Sequence, residues 1–134
     1  MWALVALTPL AGAPSNAFVA VAPTFTVGAT AASFSAAVSP TPTVSRRGQN
    51  LFIEWPAITI SSGRAVSYTV ERHGAGQTTE TVCVTTDPAP VTGTVLECRD
   101  FKPGTGATYR IRAFVTSHDG GPTWSLPASE AVGM

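Results

Sequence analysis

The chain holds 134 residues, with eight basic residues against eight acidic ones and only 12% of positions charged. That length suits one domain around one core, and a neutral, sparsely charged chain excludes the overall field that draws proteins to nucleic acid or to anionic membranes. Two cysteines, Cys83 and Cys98, are too few for a structural zinc site, where four ligands are the rule.

Charge enters late. The first charged residue is Arg46, and 12 alanines fall by position 37, so composition divides the chain near residue 40. Trp2 to Leu10 has the length of a signal-peptide apolar region, and small residues with cleavage-like spacing follow at Ala11-Gly12-Ala13 and Ser15-Asn16-Ala17. Residues 1–17 therefore read as an export signal or an apolar N-terminal segment, with a buried strand or short helix as the alternative. Pro9, Gly12 and Pro14 interrupt the run before it reaches bilayer length, so membrane contact is expected only through this segment if it stays uncleaved.

Residues 18–39 alternate in pieces: Phe18, Ala20 and Ala22, then Phe25 and Val27, then Phe34, Ala36 and Val38. This predicts one or two weak strands broken at Pro23 and Gly28. Ser39-Pro40-Thr41-Pro42 is a stiff connector, because proline donates nothing to a sheet ladder. A domain spanning 40–134 starts there.

Within that domain strands recur at short intervals. Leu51, Ile53 and Trp55 share one face of a run from Asn50; Val66, Tyr68 and Val70 share one face of a run ending at Arg72. Thr78 to Thr85 and Val91 to Cys98 are dense in β-branched residues, with Asp87-Pro88-Ala89-Pro90 between them. The turn Lys102-Pro103-Gly104 leads into Tyr109, Ile111, Ala113 and Val115, again on one face. About seven short strands with no helical periodicity after residue 40 predict an all-β, two-sheet antiparallel sandwich.

The landmarks Leu51-Phe52-Ile53-Glu54-Trp55-Pro56, Tyr68-Thr69-Val70-Glu71-Arg72, Phe101-Lys102-Pro103-Gly104-Thr105, Tyr109-Arg110-Ile111-Arg112-Ala113 and Gly120-Gly121-Pro122-Thr123-Trp124-Ser125 resemble, in that order, a fibronectin type III domain of the bacterial secreted or surface type. The likeness covers about residues 40 to 133. It implies an immunoglobulin-like sandwich whose core includes Leu51, Ile53, Trp55, Tyr68, Val70, Leu96, Phe101, Tyr109, Ile111 and Ala113. Phe101 stands where the family has Leu, and Gly106-Ala107 are extra before Tyr109, whose hydroxyl the family bonds back to the turn. The same resemblance places Cys98 inward on the fifth strand and Cys83 on the strand at the opposite sheet's edge, where a disulfide would tie the two sheets along one side; two reduced thiols are the alternative for a chain kept in the cytosol.

No convergent acid, base or nucleophile is visible, and no Gly-X-Ser-X-Gly, His-Glu-X-X-His or phosphate-loop pattern occurs. The two histidines, His73 and His118, each sit on a glycine-containing turn. Neither a cofactor nor a metal is expected. The best candidate for recognition is the loop with His118, Asp119, Gly120, Gly121 and Trp124, since exposed aromatics on rigid scaffolds are common contacts. The function expected is a non-catalytic exported module for binding, adhesion or spacing, at the cell surface or outside, with an unidentified protein or polysaccharide partner. Alternatives are a matrix or pilus-like filament subunit that donates an N-terminal strand, and an accessory module of a polysaccharide-degrading enzyme.

Overall fold

The computed structural model describes residues 23–27, 30–74, 78–116 and 123–134. The signal-like segment 1–17 and the loop residues His118, Asp119, Gly120 and Gly121 lie outside them. Among the described residues there is no helix.

Ten strands follow one another: β1 (Thr24–Val27), β2 (Thr30–Ser33), β3 (Thr43–Arg47), β4 (Asn50–Pro56), β5 (Val66–His73), β6 (Thr79–Asp87), β7 (Val95–Asp100), β8 (Thr108–Thr116), β9 (Thr123–Ser125) and β10 (Val132–Gly133). Every pairing between them is antiparallel. One sheet runs β3-β4-β7; the other runs β9-β8-β5-β6, with β10 also on β8; β1 and β2 form a hairpin. The chain is an antiparallel β-sandwich. Its strand count exceeds seven because the hairpin adds two and the last strand is split in two.

The core forms where the strands' alternation points inward. Trp55, Tyr68, Tyr109, Ile53 and Ile111 are the largest fully enclosed side chains, with Val66, Val70, Ala113 and Val115 beside them. Leu51 is buried too, whereas Leu96 is half-buried on the core's margin. Phe101 departs from the expected core: it is 64% exposed. In β7 the inward phase carries Leu96, Cys98 and Asp100, so the next residue turns outward as the strand ends.

The stretch before residue 40 is not separate from the sandwich. Ala32 and Phe34 are buried in the same cluster as Trp55 and Ile111. Phe34 bridges to Ile60, Ser35 N donates to Thr59 O at 2.8 Å, and Ser61 N donates to Ser33 O at 3.0 Å. A change in composition at residue 40 thus hides a continuous core, because small apolar residues serve as well as large ones where two surfaces meet closely.

The split in the last strand has a specific repair. Pro127 lies between β9 and β10, and proline cannot donate to β8. Two buried serines stand in: Ala113 N donates to Ser39 Oγ and Ile111 N to Ser129 Oγ, both at 2.9 Å. Leu126 N and Ser129 N return bonds to Ala113 O and Ile111 O, each at 2.9 Å. The edge of β8 is therefore satisfied without a regular partner.

Tyr68 pins the connection from β4 to β5. Ile58 N donates to its phenolic oxygen at 2.9 Å, and the hydroxyl donates to Ile58 O at 3.4 Å. Tyr68→Phe would leave a buried N–H unpaired, at a cost of about 1–3 kcal/mol. Urea unfolding of the variant measures it; a change below a few tenths would show that the hydroxyl caps nothing.

Candidate functional site

The end of the sandwich where β5, β7 and β8 come together holds a buried polar cluster. Arg72 is in phase with Val66, Tyr68 and Val70 on β5, and Asp100 is in phase with Leu96 and Cys98 on β7. Alternation therefore drives a cation and an anion inward from opposite sheets. Arg72 Nη1 donates to both oxygens of Asp100, at 3.0 and 2.8 Å, and its Nη2 donates to Glu80 Oε2 at 2.9 Å. Arg72 Nη1 also reaches Lys102 O at 2.9 Å. Tyr109 Oη donates to Asp100 Oδ2 at 2.7 Å, and Lys102 N donates to Oδ1 at 3.0 Å. The tyrosine hydroxyl accordingly bonds to a carboxylate before the turn, rather than to the turn itself.

The electrostatics follow from this arrangement. Burial works against ionisation of Asp100, but the bonds from Tyr109, Arg72 and Lys102 N outweigh it and hold the carboxyl below its ordinary value. Burial first, and then the Asp100 carboxylate, push the Tyr109 phenol well up. The bonds to Asp100 and Glu80 raise the Arg72 guanidinium. A carboxylate accepting from three donors, beside a phenol that keeps its proton, joins β5, β7 and β8 at this end of the sandwich.

The cluster sets a pH window. Asp100 has a folded pKa below its unfolded value of about 3.9, so its contribution is complete above that pH and disappears as pH falls through the folded value. Tyr109 has a folded pKa above its unfolded value of about 10, so its contribution is complete below that pH and disappears as pH rises toward the folded value. Urea midpoints should be level between these limits and fall on both sides. Asp100→Asn should flatten the acid limb, and Tyr109→Phe should make the alkaline limb shallower without abolishing it, because burial also pushes the Tyr68 phenol up; unchanged limbs would separate the cluster from stability.

A second feature lies on the outer face of the three-stranded sheet. Arg47 stacks over the Phe52 ring at 4.3 Å, and Arg99 lies 4.7 Å from Phe52 and 5.6 Å from Phe101. Phe52 points outward in the alternation yet is only 8% exposed, because the two guanidinium groups cover it. Arg47 also lies 3.8 Å from Glu54 and 3.9 Å from Glu97.

Cys83 on β6 and Cys98 on β7 are joined in a disulfide, with Cα atoms 6.6 Å apart. It links the edge strands of the two sheets. Of the candidate binding loop, Trp124 is described: it is half-buried and stacks on Phe25, ring centres 5.2 Å apart, and Phe25 in turn meets Phe34 at 5.0 Å. The N-terminal hairpin thus covers one face of the indole. His73 shares a hydrogen bond of 3.1 Å with Thr79 Oγ1 across the β5–β6 turn. Among the described residues no group of three or more His, Cys, Asp or Glu side chains is placed to hold a metal ion.

One depression of about 190 Å³ lies among Arg46, Gly104, Gly106 and Met134, and another of about 240 Å³ lies beside Thr43, Glu54 and Val95. Both fall below the ~300 Å³ at which small-molecule sites begin. Sequence pattern does not single out Arg72, Glu80 or Asp100, although the inward phases of Arg72 and Asp100 were a usable signal. Comparison with known proteins finds no matching family model, no similar curated protein and no similar solved structure.

Proposed function

We propose that this chain is a non-catalytic, exported module of fibronectin type III kind that serves as a binding or spacer unit at the cell surface or outside. The observation that carries the reading is the Cys83–Cys98 disulfide between edge strands of the two sheets. Such bonds persist in oxidising compartments and are rare where glutathione keeps thiols reduced. Closing a loop of this length stabilises a fold by roughly 3 kcal/mol through the unfolded chain. A three-stranded sheet packed on a larger one around an indole and two phenols agrees with the family resemblance. The buried ionisable groups are bonded to one another, which favours a scaffold over a reaction centre. The filament reading is weaker, because Ala32 and Phe34, which a donated strand would carry away, fill the chain's own core.

Two measurements test this. Protein from its native source is denatured without reductant in the presence of an alkylating reagent and weighed; uptake at both cysteines would overturn export to an oxidising compartment. The purified chain is then offered ester, glycoside, phosphate and peptide substrates. Turnover that is lost in His73→Ala would replace the module with an enzyme.

A further inference from the structure

The free edge of the three-stranded sheet is self-complementary. Strand β7 pairs with β4 on one side, and among the described residues nothing pairs with its other side. Ala57 N donates to Thr94 O at 2.8 Å, and Pro56, which has no N–H, stands opposite Val95. Hydrogen-bonded positions alternate along an antiparallel pair, so Leu96, Cys98 and Asp100 exchange bonds with β4. The N–H and C=O groups of Val95, Glu97 and Arg99 are left directed at the open edge.

The other edges of the two larger sheets are interrupted or flanked by proline. Strand β3 is preceded by Pro40 and Pro42, and the β9–β10 edge is broken at Pro127. Strand β6 has a bulge at Val82, where the register jumps from Val70↔Cys83 to Glu71↔Thr81. Prolines, breaks and bulges are the means by which edges avoid pairing; β7 has none of them between Val95 and Asp100.

The outward side chains along β7 read Val95, Glu97, Arg99 and, just past the strand, Phe101. Val95 is 62% and Phe101 64% exposed, and both charged residues are exposed as well. Laid antiparallel on a copy of itself about Cys98, this series sets Glu97 against Arg99 of the copy twice over, and Val95 against Phe101 twice over. Opposite charges and aromatic with β-branched residues are the favourable cross-strand combinations. The same pairing brings the edge groups of Glu97 and Arg99 opposite each other, as an antiparallel ladder requires. Two charges of opposite sign discourage an unrelated apolar strand but match their own reverse.

We propose that β7 pairs with β7 of a second copy, giving a two-fold symmetric dimer with one continuous six-stranded sheet. Such a contact uses the same patch on both subunits and closes at two. It stands independently of the functional reading above.

The test is sedimentation velocity on the full, disulfide-intact chain at up to about 200 µM, a range that reports dissociation constants down to the micromolar. The wild-type chain forms dimers. Glu97→Arg alone, or Arg99→Glu alone, sets like charges face to face and weakens association at least about tenfold. An equimolar mixture of the two single variants recovers a dimer with one chain of each, because both cross-strand pairs are then of opposite charge. A cooperative thermal transition at low concentration shows that each variant is folded, even where the loss of Arg99 from the Phe52 ring or of Glu97 from Arg47 lowers its midpoint. The proposal fails if the wild-type chain stays monomeric, if it assembles beyond two, if a single variant associates as the wild type does, or if the mixture does not associate.

Discussion

Asp100→Ala is expected to lower the unfolding free energy by about 3–5 kcal/mol, the range for removing one partner of a buried ion pair. Asp100 is 4% exposed and Arg72 17% in their side chains, so water does not replace the lost anion. Three donors lose their acceptor at once: the guanidinium, the Tyr109 hydroxyl and Lys102 N. The pair itself need not be stabilising relative to an apolar pair of the same size. Combining Asp100→Leu with Arg72→Met should therefore cost clearly less than the two single changes summed. Urea unfolding at neutral pH measures all four variants against the wild type. A loss under about 1 kcal/mol in the alanine variant would mean that Arg72 finds full compensation in Glu80.

Trp55→Ala is expected to cost about 3–5 kcal/mol as well, through a different mechanism. Its indole is 1% exposed and lies 5.6 Å from the Tyr68 ring at a tilt of 55°. Removing it deletes apolar contact area and leaves a cavity that surrounding strands, held in register on both sides, can fill only in part. Trp55 stands opposite Leu96, and Asp100 stands opposite Leu51, at the other end of the β4–β7 ladder. Four residues along a strand separate the two sites by about 13 Å, so their effects should add. Equilibrium unfolding of the double variant checks the sum; a marked shortfall would mean that the two ends of the core are coupled.

Much of the fold was legible because period-two alternation is a direct consequence of pleating. Leu51-Ile53-Trp55, Val66-Tyr68-Val70 and Tyr109-Ile111-Ala113 all point inward, as their spacing requires. The family resemblance places Phe101 in the core because it stands where the family has Leu, but the inward phase of β7 belongs to Asp100, which leaves Phe101 exposed. The same phase argument, applied to charge as strictly as to hydrophobicity, would have exposed the Arg72–Asp100 pair from the sequence. Other features have no local signal. Ser39 bonds to a residue 74 positions away, and nothing near it in the chain shows that β8 lacks a regular partner there. The hairpin before residue 40 was set apart by its lack of charge, which says where water is avoided but not which surface does the covering. Of the candidate binding loop, the structure places Trp124, and sets it against Phe25.

The covalent tie between β6 and β7 also bears on load. A chain drawn out by its ends lengthens by about 3.3–3.6 Å for each residue released, but the 14 residues lying between Cys83 and Cys98 stay looped behind the bond. Stretched to its limit, the oxidised molecule falls short of the reduced one by roughly 45 Å. The maximum reach of the chain is therefore set by the thiol chemistry of its surroundings and not by the strength of its sheets.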